Sequence, residues 1–299
     1  MLAGEQGVST TAILQGAATG VAVGAIYALI ALGYSVIFST THVVNFAQGD
    51  LLAIGALMAY TLHVSHGWPI VLTFLGVAAV MCVAGVVFEK LIMIPTRLSG
   101  SHFAWIIVTL ALSLALENFL VIPYGRSLYT FPPLLEGRPL HLGGVVIQRQ
   151  QIIVIAAAVL LMVAFELFLT RTRQGRAIRA AAFSPDVTEL MGIDVGRIVT
   201  LTFVISAVIT GIAGLLVAPL QLSSTSMGQV LGIKGFIAIV LGGMGSAKGA
   251  ALGGVLLGVA EGVFSVVMPT GWQNVAVYSA LALILLVRPS GLFGQRIEA

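Results

Sequence analysis

The sequence predicts an all-α integral membrane protein, a polytopic bundle of about eight to ten transmembrane helices. Composition is the first observation: 59% of the 299 residues are hydrophobic and only 8% are charged, against about 25% charged residues in ordinary soluble domains. The second is that apolar residues gather into runs that approach the roughly 20 residues needed to cross a bilayer. The third is that most charged residues lie in short connections and two longer loops.

Nine apolar runs follow one another along the chain, and each is predicted to form a membrane helix. The first run is longer than one crossing requires and indicates a tilted helix. The seventh is short, which is compatible with a re-entrant segment. The runs cover residues 11–38, 46–63, 69–92, 103–122, 151–169, 199–218, 230–242, 249–268 and 274–287.

Lysine and arginine orient the chain, because short cytoplasmic loops carry more of them than external loops do. The densest basic segment is 170–198, which we place in the cytoplasm. With nine crossings the N-terminus is then external, and the polar segment 123–150 forms one long external loop. The remaining cations divide between cytoplasmic positions (Lys90, Arg97, Lys248, Arg288 and Arg296) and external positions (Arg126, Arg138, Arg149 and Lys234).

Several other classes of protein are excluded by the composition. The net charge of +3 is small and follows from the cytoplasmic cations, so nothing indicates nucleic-acid binding. The single cysteine, Cys82, cannot build a disulfide framework or a cysteine-based metal site. The five histidines lack HxxxH or HExxH spacing, so no metal site is predicted. The P-loop sequence GxxxxGK followed by Ser or Thr is missing, so this chain is not expected to bind ATP.

Start and stop signals for two short helices lie within the cytoplasmic segment. Residues 174–182 favour a helix that carries Arg176 and Arg179 on one side. Ser184 suits the N-cap of a second helix, with Asp186 in its first turn. Gly192 can end that second helix. Its apolar face consists of Val187, Leu190 and Met191.

An apolar helix face outside the membrane has two explanations. It can fill a groove on a cytoplasmic partner, or it can lie on the membrane surface with its arginines near anionic lipid. The residues alone leave both explanations open.

Three segments, taken in order, carry patterns of one transporter family. Residues 24–56 contain NFAQGD, in which N-F-A-x-G is followed by an acid. Residues 235–263 contain LGGMGSAKGA, the pattern L-G-G-x-G-S before G-A, and then G-x-x-E. Together with 175–216, which hold the capped loop and the next run, they resemble the branched-chain amino acid (LIV-type) permeases of ABC importers. Lys248 departs from the neutral residue expected in the second pattern.

The resemblance implies a type II ABC importer permease fold in one domain, residues 1–299. It implies that 171–197 is the coupling loop seated on an ABC ATPase. Within that loop it assigns ATPase coupling to Gly175, Arg176, Arg179, Ser184, Asp186, Val187, Leu190, Met191 and Gly192.

Partners and substrate are also implied by the resemblance. The expected partners are a second permease subunit, most simply a paralogue, two ATPase subunits that hold ATP and Mg, an external substrate-binding protein, and membrane lipid. The expected substrate is a branched-chain or other hydrophobic amino acid, although relatives in the family move urea and amides. The expected location is the bacterial inner membrane. No catalytic residue and no cofactor of its own are expected for this chain.

Polar residues between the first two runs are candidates for the translocation pathway: Asn45, Gln48, Gly49 and Asp50. Polar groups at membrane depth are costly unless they face protein or a water-filled cavity. The segment HVVNFAQGD could break a helix and offer backbone groups to a small zwitterion. The alternative is a cytoplasmic turn with Asn45 as a helix N-cap.

Gly242, Gly243, Gly245 and Ser246 form a second candidate, because a glycine-rich backbone can turn sharply. This segment is either a gate at the end of a half-helix or a tight turn between two spans.

Glu261 is the lone acid of the eighth run and must pair, protonate or face the pathway, because a charge at this depth is expensive. Glu117 lies near the outer end of its run and is expected to reach the surface. Tyr27 and Tyr34 are expected to be packing residues. Glycines at four-residue spacing, such as Gly16, Gly20 and Gly24, allow close helix packing or a tightly packed pathway lining.

Two other functions are alternatives to the importer. An ion-coupled secondary transporter would use Glu261 or Asp50 as its coupling group, but it leaves the ordered cytoplasmic loop unexplained. An intramembrane enzyme lacks an acid pair, a Ser/His pair or a metal cluster within the spans.

Overall fold

A computed structural model of the protein describes residues 9–99, 102–134, 137–142, 144–287 and 291–292. Within these residues every predicted apolar run is helical. Arg288 and Arg296, predicted to be cytoplasmic, lie outside the described residues. The helices are α1 (Thr10–Thr41), α2 (Gln48–Ala59, continued by a π-helical turn Tyr60–Ser65), α3 (Ile70–Ser99), α4 (His102–Tyr124), α5 (Arg149–Arg171), α6 (Arg173–Phe183), α7 (Pro185–Leu190), α8 (Val195–Val217), α9 (Met227–Gly242), α10 (Ala247–Val267) and α11 (Thr270–Val287).

Six described helices, α1, α3, α4, α5, α8 and α10, are long and apolar enough to cross a membrane. Helix α2 has 12 residues, α9 has 16 and α11 has 18. The short α9 agrees with the short seventh run. Together these helices confirm the predicted fold class, an all-α polytopic bundle.

Helix α1 forms the centre of the bundle and is buried along most of its length. It packs against α10 through facing glycines, because a Cβ on either helix would collide with the backbone of the other. The pairs are Gly16 with Gly262, Gly20 with Gly258 and Gly24 with Gly254. The predicted role of these glycines in close helix packing is confirmed.

Helices α2 and α8 pack against each other in the same manner. A Cβ on Gly55 would meet the backbone of Gly211, and one on Gly214 would meet the backbone of Leu52. Because glycine has no side chain, the two backbones come close together at these positions. The polar side chains beside the glycines are then within reach of each other.

Helices α3, α4 and α5 present apolar side chains outward. The bundle interior therefore lies on one side of these helices, and lipid or another subunit has to cover the other side. Examples of exposed side chains are Val71, Leu75, Phe103, Phe119 and Leu160.

The predicted external loop 123–150 is structured where it is described. Strands β1 (Leu140–Leu142) and β2 (Val145–Ile147) pair as an antiparallel hairpin. The Gln15 side chain of α1 binds both backbone groups of Val146, at 2.8 Å to its oxygen and 2.7 Å to its nitrogen. Tyr129 pairs with Ser223 by two backbone hydrogen bonds, which join this loop to the α8–α9 connection.

Candidate functional site

Helix α2 begins beside the middle of α8. The Gln48 side-chain amide donates to the hydroxyl of Ser206 at 2.8 Å and to that of Thr210 at 2.5 Å. Ser206 is the central residue of α8, about 16 Å from either end, and it donates in turn to the Gly33 carbonyl of α1 at 2.8 Å. The start of α2 is therefore deep in the bundle, which agrees with a broken helix rather than with a surface turn.

Asn45 stabilises the non-helical segment that leads to this point. Its side-chain oxygen accepts a hydrogen bond from the Ala47 nitrogen at 3.1 Å, and its carbonyl accepts one from the Gln48 nitrogen. This bond caps a turn just before α2 rather than the helix itself. Asn45 and Gln48 are fully buried, yet Asn45 Nδ2 and Gln48 Oε1 have no hydrogen-bond partner among the described residues.

The first turns of α2 and α9 meet at Gly49. A Cβ on Gly49 would collide with the carbonyl of Gly228, and one on Gly228 would lie 2.7 Å from the Gly49 oxygen. Two helix N-termini therefore converge in the bundle interior. Half-helix ends of this kind carry the backbone polar groups with which some transporters bind solutes.

Asp50 follows Gly49 and is 1% exposed. Neither carboxylate oxygen makes a hydrogen bond of good geometry within the described part of the chain. The Ser113 hydroxyl of α4 is the polar group that stabilises the charged carboxylate, and the negative charge of Glu117, one turn further along α4, acts against it. Glu117, expected to reach the surface from the outer end of its run, is half-buried and accepts a hydrogen bond from the exposed Gln229 of α9 at 2.6 Å.

Glu261 is held in an ion pair with Lys234 of α9. The side chain of Lys234 is 12% exposed and that of Glu261 is 23% exposed. The other oxygen of Glu261 accepts a hydrogen bond from the Tyr27 hydroxyl of α1 at 2.8 Å, and the Lys234 ammonium lies 5.6 Å from the Tyr27 ring centroid. The sequence left three possibilities for Glu261, which were pairing, protonation or facing the pathway. In the structure Glu261 is paired.

One sequence-based assignment near this ion pair was wrong. Lys234 was counted as an external cation, but it lies within α9 and is mostly buried, because an acid on α10 compensates its charge. Tyr27 is a packing residue as expected, 2% exposed in the core, and its hydroxyl also binds Glu261. Tyr34 packs edge-on against Phe236 and also donates to the Gly232 carbonyl at 3.3 Å.

The glycine-rich segment forms the turn between α9 and α10. Gly243 and Gly245 have φ angles of +102° and +81°, a region that favours glycine. Gly242 packs against Gly249, and the Ser246 side chain caps α10 by accepting from the Gly249 nitrogen at 3.1 Å. The geometry is that of the tight turn. A gating role stays a prediction.

Helix α6 is anchored to the bundle by one face. Gly175 lies against Phe168 and Leu169 at the end of α5, where a Cβ would collide with their backbone. Ile178 and Ala181 are buried in a small cluster with Ile198 of α8. The predicted helix is confirmed, and Arg176 and Arg179 project from its exposed side.

Helix α7 has the predicted caps. The Ser184 side chain accepts from the Val187 nitrogen at 3.4 Å, Asp186 is in the first turn, and Gly192 follows the helix with a φ of +81°. The apolar face is exposed, at 55% for Val187, 88% for Leu190 and 72% for Met191. Phe183, 93% exposed, extends this face, and its position at the end of α6 could have suggested it from the sequence.

The arrangement offers binding and movement rather than bond chemistry. No group of three His, Cys, Asp or Glu side chains that could hold a metal ion occurs among the described residues. What the fold presents is a polar region in the bundle interior and an exposed apolar helix on the loop that follows α5.

Comparison with known proteins is consistent with this geometry. The family model described as "Branched-chain amino acid transport system / permease component" matches residues 16–287. The chain is 34% identical to the high-affinity branched-chain amino acid transport system permease protein BraD of Pseudomonas aeruginosa, over 94% of this chain and 96% of that protein. It is 32% identical to LivH of Escherichia coli K12, with the same coverage of each chain.

A more distant relative is the probable branched-chain amino acid transport permease protein LivH of Methanocaldococcus jannaschii, 26% identical over 89% of this chain and 88% of that protein. No solved structure gives a significant match. The matched residues run from the first helix to the last, so the likeness includes helices α6 and α7 and the polar interior. This multi-pass membrane protein belongs to the branched-chain amino acid permease family of ABC transporters.

Proposed function

We propose that this chain is a membrane-spanning subunit of an ATP-driven importer that moves branched-chain or other hydrophobic amino acids into the cytoplasm by alternating access. The observation that carries the proposal is α7, a short helix capped at both ends that turns Leu190, 88% exposed, away from the rest of the chain. Such a face favours a groove on another protein. An ABC ATPase is the partner that fits a permease of this family.

The proposed complex contains two ATPase subunits, a second permease subunit and an external substrate-binding protein. ATP and Mg would be held by the ATPase subunits, since this chain has no P-loop sequence. The exposed apolar sides of α3, α4 and α5 leave room for the second permease subunit or for lipid. The proposed location is the bacterial inner membrane.

A continuous set of contacts connects α7 with the bundle interior. Helix α6, which leads into α7, packs against the end of α5 through Gly175 and against Ile198 of α8. Further along α8, Ser206 and Thr210 hold the Gln48 side chain at the start of α2. A displacement of α7 by an ATPase would therefore act on α8 and, through α8, on the polar region around α2.

The second candidate is an ion-coupled transporter. Asp50 favours it, because a buried carboxylate that makes no hydrogen bond of good geometry among the described residues is a suitable group for a coupling ion. Glu261 does not favour it, because Lys234 and Tyr27 already occupy both of its oxygens.

Reconstitution of the complex into proteoliposomes tests the proposal. We expect leucine uptake to require ATP on the side of the ATPase subunits and to persist when a proton uncoupler and a sodium ionophore are present. Uptake driven by a proton or sodium gradient without ATP would contradict the importer and favour the ion-coupled transporter.

A further inference from the structure

The carboxylate of Asp50 is the most conspicuous unused group in the bundle interior. It is 1% exposed, neither oxygen makes a hydrogen bond of good geometry among the described residues, and the Ser113 hydroxyl of α4 is the group that stabilises its charge. A buried carboxylate is costly unless a cation or several donors compensate it. Glu261, another acid inside the bundle, is compensated in this way, because it binds both the Lys234 ammonium and the Tyr27 hydroxyl.

A second acid increases the need for a cation near Asp50. Glu117 of α4 is near enough for its negative charge to act on the Asp50 carboxyl group. Neither acid takes part in an ion pair within the described residues. Two acids without a cation repel each other, so a positively charged group is stabilised between them.

The Glu117 carboxylate also has a partner on α9, because Gln229 donates to it at 2.6 Å. Gln229 is exposed and Glu117 is half-buried, whereas Asp50 is buried. Glu117 is therefore the more accessible of the two acids.

We propose that Asp50 and Glu117 bind the α-ammonium group of the amino acid during translocation. This inference rests on the proposed function. It adds the residues that recognise one end of the substrate.

The available acceptors fit a primary ammonium group. Such a group has three N–H donors and no acceptor. The Asp50 and Glu117 carboxylates supply two acceptors, and the Ser113 hydroxyl beside Asp50 supplies a third. A bound Ca²⁺ ion needs six to eight oxygen ligands, and no cluster of three acidic or other metal-binding side chains is found in the described parts of the chain.

Leucine uptake by the reconstituted complex, with saturating loaded binding protein, tests the subsite. We expect Asp50→Asn to lower the uptake rate roughly tenfold or more, because the amide cannot neutralise the ammonium charge. Asp50→Glu keeps the charge and is expected to lose less. Recovery of the assembled complex should remain within about twofold of the wild type, which a loss of folding would not allow.

Glu117→Gln is the second test, because its side chain is partly exposed and the glutamine can still bond Gln229. It should lower uptake several-fold. Glu166→Gln, which removes a half-buried carboxylate of α5, is the matched control and should leave uptake unchanged.

Uptake by Asp50→Asn within about twofold of the wild type would overturn the inference. If that variant does not assemble, unchanged uptake by Glu117→Gln overturns it equally. A loss of wild-type uptake when choline replaces sodium would assign the site to a sodium ion instead. Failure of the proposed function itself would look different, since the wild-type complex would then not take up leucine with ATP.

Discussion

Lys234 of α9 and Glu261 of α10 form an ion pair inside the helix bundle, with the Tyr27 hydroxyl of α1 on the second carboxylate oxygen. Three helices are joined at this point by one charged group. Each charge alone would be expensive at this depth, whereas together they satisfy each other. The pair therefore specifies how the short helix α9 is seated against its neighbours.

Removal of one charge from this pair should destabilise the protein. Glu261→Ala leaves the Lys234 ammonium buried without a carboxylate, which costs about 3–5 kcal/mol. The thermal unfolding temperature of the detergent-solubilised protein, followed by tryptophan fluorescence, should fall clearly. In the double variant Lys234→Met with Glu261→Leu much of the loss should be recovered. Equal unfolding temperatures for Glu261→Ala and the wild type would contradict this account.

The glycine contact between α1 and α10 should not accept a methyl group. In Gly258→Ala the new Cβ would collide with the backbone of Gly20 and Gly24, at an overpacking cost of about 1–3 kcal/mol. The same thermal unfolding measurement checks this. Gly196→Ala is the control, since its nearest neighbour is the Asp194 carboxylate and not a second backbone. A control variant as unstable as Gly258→Ala would refute the argument from close packing.

The apolar face of α7 should be required for assembly. Leu190→Asp places a charge on a side chain that is 88% exposed, so the fold and membrane insertion should survive. Burial of the new carboxylate in an apolar groove would cost several kcal/mol, so recovery of the ATPase subunits in a pull-down should fall to background. Leu190→Met keeps an apolar side chain and should bind normally. Unimpaired recovery with Leu190→Asp would mean that α7 does not dock there.

Loss of the α7 cap should loosen that helix alone. Ser184→Ala removes the side-chain acceptor for the Val187 nitrogen, a change that costs about 1 kcal/mol. Hydrogen exchange of the amides in 187–191 should become faster, with the rest of the chain unaffected. Ser226→Ala is the matched control at the N-cap of α9, where the serine side chain makes no cap bond. No change in exchange after Ser184→Ala would show that the cap is unimportant.

Local signals in the sequence were sufficient to predict the membrane helices and the short helices α6 and α7. Long apolar runs predict membrane helices, because a helix satisfies its own backbone hydrogen bonds and needs no distant partner in the sequence. The caps at Ser184 and Gly192 depend on residues within one turn, so they could be predicted without knowledge of the fold. The glycine spacing in α1 likewise predicted a packing face.

The polar interior could not be predicted in the same way, because its partners are distant in sequence. Gln48 binds Ser206, 158 residues later, and that contact determines how deep α2 begins. The loop-based charge count misplaced Lys234, because it assigned every cation to a membrane surface. Only the packing of α9 on α10 reveals that Glu261 compensates this charge.

The central claim is that this chain works as the membrane subunit of an ATP-driven importer. A pull-down of the tagged chain from its native membrane in mild detergent, with mass spectrometry of the proteins that accompany it, tests this claim most directly. The account predicts two kinds of partner, ATPase subunits with a P-loop and a second permease subunit. Recovery of the intact, folded chain without any ATPase would contradict it.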